Sequence, residues 1–442
     1  MSQPGRPAAG ALLLLPALLS LASLAGCSYS LVAGGAIRAE PFADLLQRTS
    51  RARGIEPRGP VDARVVGQAE SREIVARVIA EEWSADELAR YEDALGSVGL
   101  WPPERDLLQE LLAVHAAEVA GFYHPRERVF YLVEDAPVPL SIRLLSGLAR
   151  RDLTGEVVVT HELVHLLQHQ QYPALFEAVK FHAQDDAAWA TSAALEGDAV
   201  RFGFEALGVL PDPEEFGRSM LEEDPGGRSR ALAQAPALIR LTLVLPYTAG
   251  YRLAWAEWRD LLDAPPASTE QLLHPERRRE PFLAFDLGPL REALPEGCTP
   301  VYENGAGELG LSVLLRDLGR RPDPAAWEGW DGDRYLAARC GGERAFAWIT
   351  AWDSEADARE FEVAYAGIAA AAAARAGLAA PPALRRHGRE VHLLAPGLEA
   401  LAPALERVPR RRVSTLEELL AGPGGREARA APQPIPRRFI FL

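Results

Sequence analysis

The chain has 442 residues, with 62 acidic groups against 47 basic ones and a formal charge of −15. That balance excludes a general nucleic-acid binder, which carries a basic stripe, and a protein held to anionic lipid by basic patches. Three cysteines are too few for a disulfide-built scaffold, and 48 % hydrophobic residues is too many for a disordered chain.

Residues 7–37 contain no charged side chain, and Ala8 to Gly26 forms an apolar stretch behind Arg6. At about 19 residues it is just long enough to span a bilayer. Its end in small residues fits a secretory signal. Leu24-Ala25-Gly26-Cys27 resembles the bacterial lipobox, whose cysteine is lipidated and becomes the first residue of the mature chain. The resemblance implies a lipid-anchored protein of the bacterial cell envelope, periplasmic or outer-membrane, that has lost residues 1–26. A plain membrane anchor on a cytoplasm-facing protein is the competing reading. With Cys27 lipidated, Cys298 and Cys340 are left to pair or to remain two separate thiols.

Residues 27–65 are rich in Gly, Ala, Arg and Pro and read as a tether with a short helix near Phe42 to Gln47. Helical spacing starts after Gly67, at Ile74, Val75, Val78, Ile79 and Trp83, and resumes at Leu107 to Val119 beyond Trp101-Pro102-Pro103. Two β-prone runs, Ala120 to Tyr123 and Val129 to Val133, read as a hairpin. Asp152 or Thr154 can cap a helix that reaches about Gln171 and stops before Pro173. Asp185 to Leu207 and Leu238 to Trp258, the latter interrupted at Pro246, are further helices. From about residue 300 the pattern becomes strand, strand, helix, strand. Asp333 to Cys340 and Ala345 to Ala351 turn at Gly341-Gly342, Ser354 to Arg375 is an alanine-rich helix, and Val391 to Leu394 is a last strand. The fold class expected is α+β: a mainly helical domain over 66–290 with a small β-hairpin, a smaller α+β unit over 291–420, and a flexible tail over 421–442.

The most informative stretch is His161-Glu162-Leu163-Val164-His165. Two histidines four apart on a helix project from one face, so both imidazoles reach one cation. Apolar neighbours on all sides predict a buried helix, and a buried histidine pair needs partners or a metal. Zinc brings the pKa of a bound water to about 7, so Glu162 can serve as its base at neutral pH. His169 lies two turns further along the same helix, roughly 12 Å along its axis, and does not converge on the same ion. Gln168 stands where the metzincin pattern HExxHxxGxxH has its glycine, which disfavours that family. Glu196, on the next helix in Ala194-Leu195-Glu196-Gly197-Asp198-Ala199, is the better third ligand. Asp198 either orients a ligand histidine or faces solvent.

HExxH followed by a glutamate on a later helix resembles the gluzincin metallopeptidases. The resemblance implies a zincin-like fold, Zn2+ as cofactor, His161, His165 and Glu196 as its ligands, and Glu162 as general base. It also implies a strand edge above the metal helix where an extended peptide docks, a place the hairpin fills. Gluzincins supply a Tyr or His that stabilises the oxyanion, for which Tyr247, Tyr251 and His274 are candidates. Residues 246–251, 266–275, 329–335 and 352–361 look like segments of uncharacterised bacterial metallopeptidase-like lipoproteins. The implied activity is membrane-anchored hydrolysis of a peptide or protein substrate in the cell envelope, with no nucleic-acid partner. The alternative is a non-catalytic envelope lipoprotein whose metal site is structural or vestigial. Asp331 and Asp333 lack the full ligand pattern of a calcium loop.

Overall fold

A computed structural model of the protein describes residues 30–59, 61–118, 120–124, 126–134, 151–178, 184–221 and 230–422. The lipobox at Leu24 to Cys27 and nearly all of the 421–442 tail lie outside these. Among the described residues no helix is long and apolar enough to cross a membrane.

The architecture is α+β. The chain opens with a two-residue hairpin, β1 (Val32–Ala33) and β2 (Ala36–Ile37), then α1 (Ala39–Arg53) and β3 (Asp62–Val66). Helices α2 (Gln68–Glu82), α3 (Ala85–Ser97) and α4 (Leu107–Glu118) lead to β4 (Gly121–His124) and β5 (Val129–Val133). The hairpin expected there forms, antiparallel, and β3 adds to it in parallel, giving the order β3-β5-β4. The 27–65 segment is therefore not a tether beyond its first residues. From Ser30 onward it is folded, and Asp152 ties it down by accepting the Leu31 N–H at 3.0 Å.

The metal-motif helix α5 (Leu153–Gln171) starts where Asp152 caps the Gly155 N–H and stops just before Pro173. Val159, Leu163, Val164, Leu166 and Leu167 are all buried. At about 1.5–3 kcal/mol for each such side chain, burial fixes this helix on several sides at once. Helix α6 (Asp185–Ala206) lies against it in the opposite direction, with Leu195 beside Gln168 and Gly203 beside His161. Helix α7 (Ala237–Leu245) runs through a π-helical turn at Pro246–Gly250 into α8 (Tyr251–Leu261), because Pro246 has no N–H for the ladder. The short α9 (Thr269–Leu273) follows, capped by Ser268.

The C-terminal part is an antiparallel sheet of order β10-β11-β9-β8-β7. Its strands are β7 (Cys298–Asn304), β8 (Trp330–Cys340), β9 (Glu343–Trp352), β10 (Ala383–His387) and β11 (Glu390–Leu394). Helix α10 (Gly307–Leu318) and the alanine-rich α11 (Glu355–Ala376), capped by Ser354, pack with it. Cys298 and Cys340 face each other across β7 and β8 and are joined as a disulfide. Asp333 is buried. It accepts the Ala306 and Gly307 N–H groups and the indole N–H groups of Trp330 and Trp348, while Asp331 pairs with Arg412.

The apolar packing continues across residues 290 and 291. One apolar cluster runs from Ile74, Trp101 and Leu238 to Trp348, Phe361 and Leu419. The late strand β12 (Arg410–Val413) pairs back onto β6 (Phe282–Phe285), across the expected boundary.

Candidate metal centre

Helix α5 presents His161 and His165 one turn apart, with their Nε2 atoms 3.1 Å from each other. Glu196 reaches across from α6. Its Oε2 lies 3.1 Å from His161 Nε2 and 3.3 Å from His165 Nε2. Among the described residues this is the group of three that can hold a metal ion. Two close approaches bring the helices together. A Cβ on Gly203 would stand 3.2 Å from the His161 backbone nitrogen, so α6 passes unusually near α5 there. Gly197 meets the π-helical turn. A Cβ on Gly197 would lie 2.1 Å from the Gly250 carbonyl carbon, and one on Gly250 would lie 2.1 Å from the Ala193 carbonyl oxygen. Only glycine at both positions permits this packing.

The donors fit zinc in kind and in spacing. Four ligands at about 2.0–2.1 Å in tetrahedral array lie about 3.3 Å from one another. The two imidazole nitrogens and the carboxylate oxygen stand 3.1 to 3.3 Å apart. The other Glu196 oxygen, Oε1, is buried without a partner, as is Oε2 of Glu162, a debt that a cation and its water would settle.

With protons alone, the same groups act as a buried ion pair. Burial works against the Glu196 carboxylate, but His165 and His161 outweigh it and hold Glu196 down at about 2. Burial likewise opposes the His165 imidazolium, and Glu196 overrides it to raise His165 to about 9. His161 goes the other way, lowered by burial. Glu162 is pushed up to about 8 by burial, partly relieved by His165. The cluster thus favours positive charge at its centre and a proton on the carboxyl beside it.

Glu162 is 4 % exposed and lies near the backbone N–H of Tyr123, which favours its ionised form. Tyr123 sits on β4, the edge strand of its sheet, so Glu162 touches the edge where an added strand would pair. The site opens on the side of His161, whose side chain is 14 % exposed, whereas His165 shows no surface. Tyr247, from the π-helical turn, stacks on the His161 ring at that side, with centroids 6.3 Å apart. Its hydroxyl is pushed well up by burial, then by the charges of Glu196 and Glu162.

The other expected residues lie elsewhere. His274 Nε2 lies 2.9 Å from Oε1 of Glu308, a buried carboxylate on α10. The Tyr251 hydroxyl donates to the Pro211 carbonyl at 2.7 Å. His169 meets the Tyr123 hydroxyl at 3.1 Å and stays out of the cluster, as helix geometry requires. Asp198 is fully buried. It accepts from Gln168 and Arg53. Those two residues were not expected at the site. In the sequence Gln168 stands only at the metzincin glycine position, and Arg53 falls in the supposed tether.

A family model described as a domain of unknown function, DUF8575, matches residues 299–401, which hold the C-terminal sheet and lie apart from the histidine cluster. No curated protein and no solved structure matches the chain.

Proposed function

We propose that the chain is a zinc-dependent peptidase of the gluzincin type, tethered by lipid on Cys27 to a membrane of the bacterial envelope. The observation that carries the catalytic half is the meeting of His161, His165 and Glu196, with Glu162 held beside them against the edge of β4. Those three side chains would hold the ion. Zinc in that place supplies Lewis-acid activation of a water and of the scissile carbonyl. Glu162 takes the proton of the attacking water and returns it to the leaving amine. Its unpartnered Oε2 is the atom available for that proton. The edge of β4 receives the substrate backbone by strand addition. Tyr247, beside the open face of His161, is the candidate donor to the developing oxyanion.

The lipid anchor rests on Leu24-Ala25-Gly26-Cys27. The mass of the mature amino terminus tests this half: a diacylglyceryl-modified Cys27 is expected, and an intact Met1 contradicts it.

The test of activity is cleavage of a mixed peptide library by the purified chain. Cleavage is expected to stop on chelation and to return when zinc is added back. A zinc-loaded protein that cleaves none of the peptides supports a binding lipoprotein with a structural metal instead.

A further inference from the structure

His165 is held from behind by a chain of hydrogen bonds that ends in the N-terminal helix α1. His165 Nδ1 lies 2.9 Å from Gln168 Oε1. The Gln168 amide nitrogen donates to the Leu195 carbonyl at 2.9 Å and to Asp198 Oδ2 at 2.8 Å. Arg53 Nε donates to the same Asp198 oxygen at 2.8 Å, and its guanidinium lies 4.8 Å from the centre of the Phe202 ring. His165, Gln168 and Asp198 show no exposed surface, and Arg53 shows 8 %.

Hydrogen-bond accounting fixes the direction of the chain. A carbonyl and a carboxylate oxygen can only accept, so the Gln168 NH2 must face both of them. Its Oε1 is then the atom turned to His165, and an amide oxygen can only accept. His165 Nδ1 must therefore carry a proton, which leaves Nε2 as the nitrogen with a lone pair for a cation. Arg53 pairs with the buried Asp198 and its charge opposes the effect of burial on that carboxyl.

We propose that Gln168, Asp198 and Arg53 are positioning residues that set the tautomer and ring orientation of His165, and that α1 is thereby a working part of the metal centre. The proposal rests on reading the cluster as a zinc site. It also gives the folded N-terminal segment a role: helix α1 is wired to a proposed ligand of the ion. A glutamine, and not a carboxylate, stands between the histidine and the acid.

The experiment uses the full chain. Zinc affinity is measured by competition with a chelating dye for the wild type, Gln168→Met, Arg53→Met and Arg53→Lys. Thermal unfolding of each in EDTA reports folding without the ion. Gln168→Met keeps side-chain length and removes the acceptor, and is expected to weaken zinc binding by about 10–100-fold while still unfolding cooperatively. Arg53→Met is expected to weaken it in the same sense, and Arg53→Lys to recover part of the loss. Long-range 1H–15N spectra of the zinc-loaded wild type are expected to place the His165 proton on Nδ1. If the wild type binds zinc and Gln168→Met binds it equally well, the positioning chain is wrong and the metal site stands. A His165 proton on Nε2 has the same meaning. A wild type that takes up no zinc overturns the metal site and the chain together.

Discussion

Glu162→Gln is expected to lower peptide turnover at least about 100-fold while leaving zinc content unchanged. A positioned general base contributes about 10²–10⁴ in rate. The amide has the shape of the carboxylate and can keep its place near the Tyr123 N–H of β4. What it cannot do is hold and return a proton. Because Glu162 is not one of the three clustered donors, the ion should remain. Initial rates on a cleaved library peptide, with zinc measured by atomic emission on the same samples, read both quantities. Full activity in the variant would remove Glu162 from the mechanism. Loss of zinc along with activity would show that the carboxylate has a structural share in the site.

Gly197→Ala should damage the site without touching a donor atom. The added methyl would sit 2.1 Å from the Gly250 carbonyl carbon and oxygen and 2.7 Å from the Tyr251 nitrogen, all backbone atoms. Forcing α6 and the π-helical turn apart is an overpacking defect, costing about 1–3 kcal/mol or more. Glu196 is the adjacent residue on α6 and Tyr247 lies in the displaced turn, so the strain falls on a proposed ligand and on the proposed oxyanion donor together. The expected readouts are a lower urea midpoint in EDTA and weaker zinc binding. Gly208→Ala is the control. Gly208 has φ +74° and open space around a built Cβ, so it should cost about 1–2 kcal/mol through backbone strain alone and leave zinc affinity as it was. Equal zinc affinity in Gly197→Ala and wild type would show that the turn is not coupled to the metal centre.

The centre was legible where local spacing carries it. His161 and His165 are placed by the helical repeat alone, and Glu196 by a second helix whose apolar surroundings already promised burial. The β4–β5 hairpin and the β8–β9 hairpin were equally plain, because alternation and turn residues are local signals. What escaped notice depends on contacts distant in sequence. Helix α1 buries Thr49, Ser50 and Arg53 beside Leu45, so its inner face carries little apolar periodicity. Gln168 becomes a buried relay only once Leu195 and Asp198 stand opposite it. His274 looked available for catalysis because nothing nearby in sequence reveals Glu308. The return of β12 to β6 is a non-local pairing that no composition shift could announce. The same holds for the bridge between Cys298 and Cys340, which register across two strands decides.

Zinc content bears most directly on the central claim. The purified full chain, the His161→Ala variant and the Glu196→Ala variant are dialysed against limiting free zinc and assayed for bound metal, with circular dichroism as the check on folding. The expected result is one zinc per wild-type chain and a large loss in both folded variants. No zinc on the wild type, or undiminished zinc on Glu196→Ala, contradicts the centre described here.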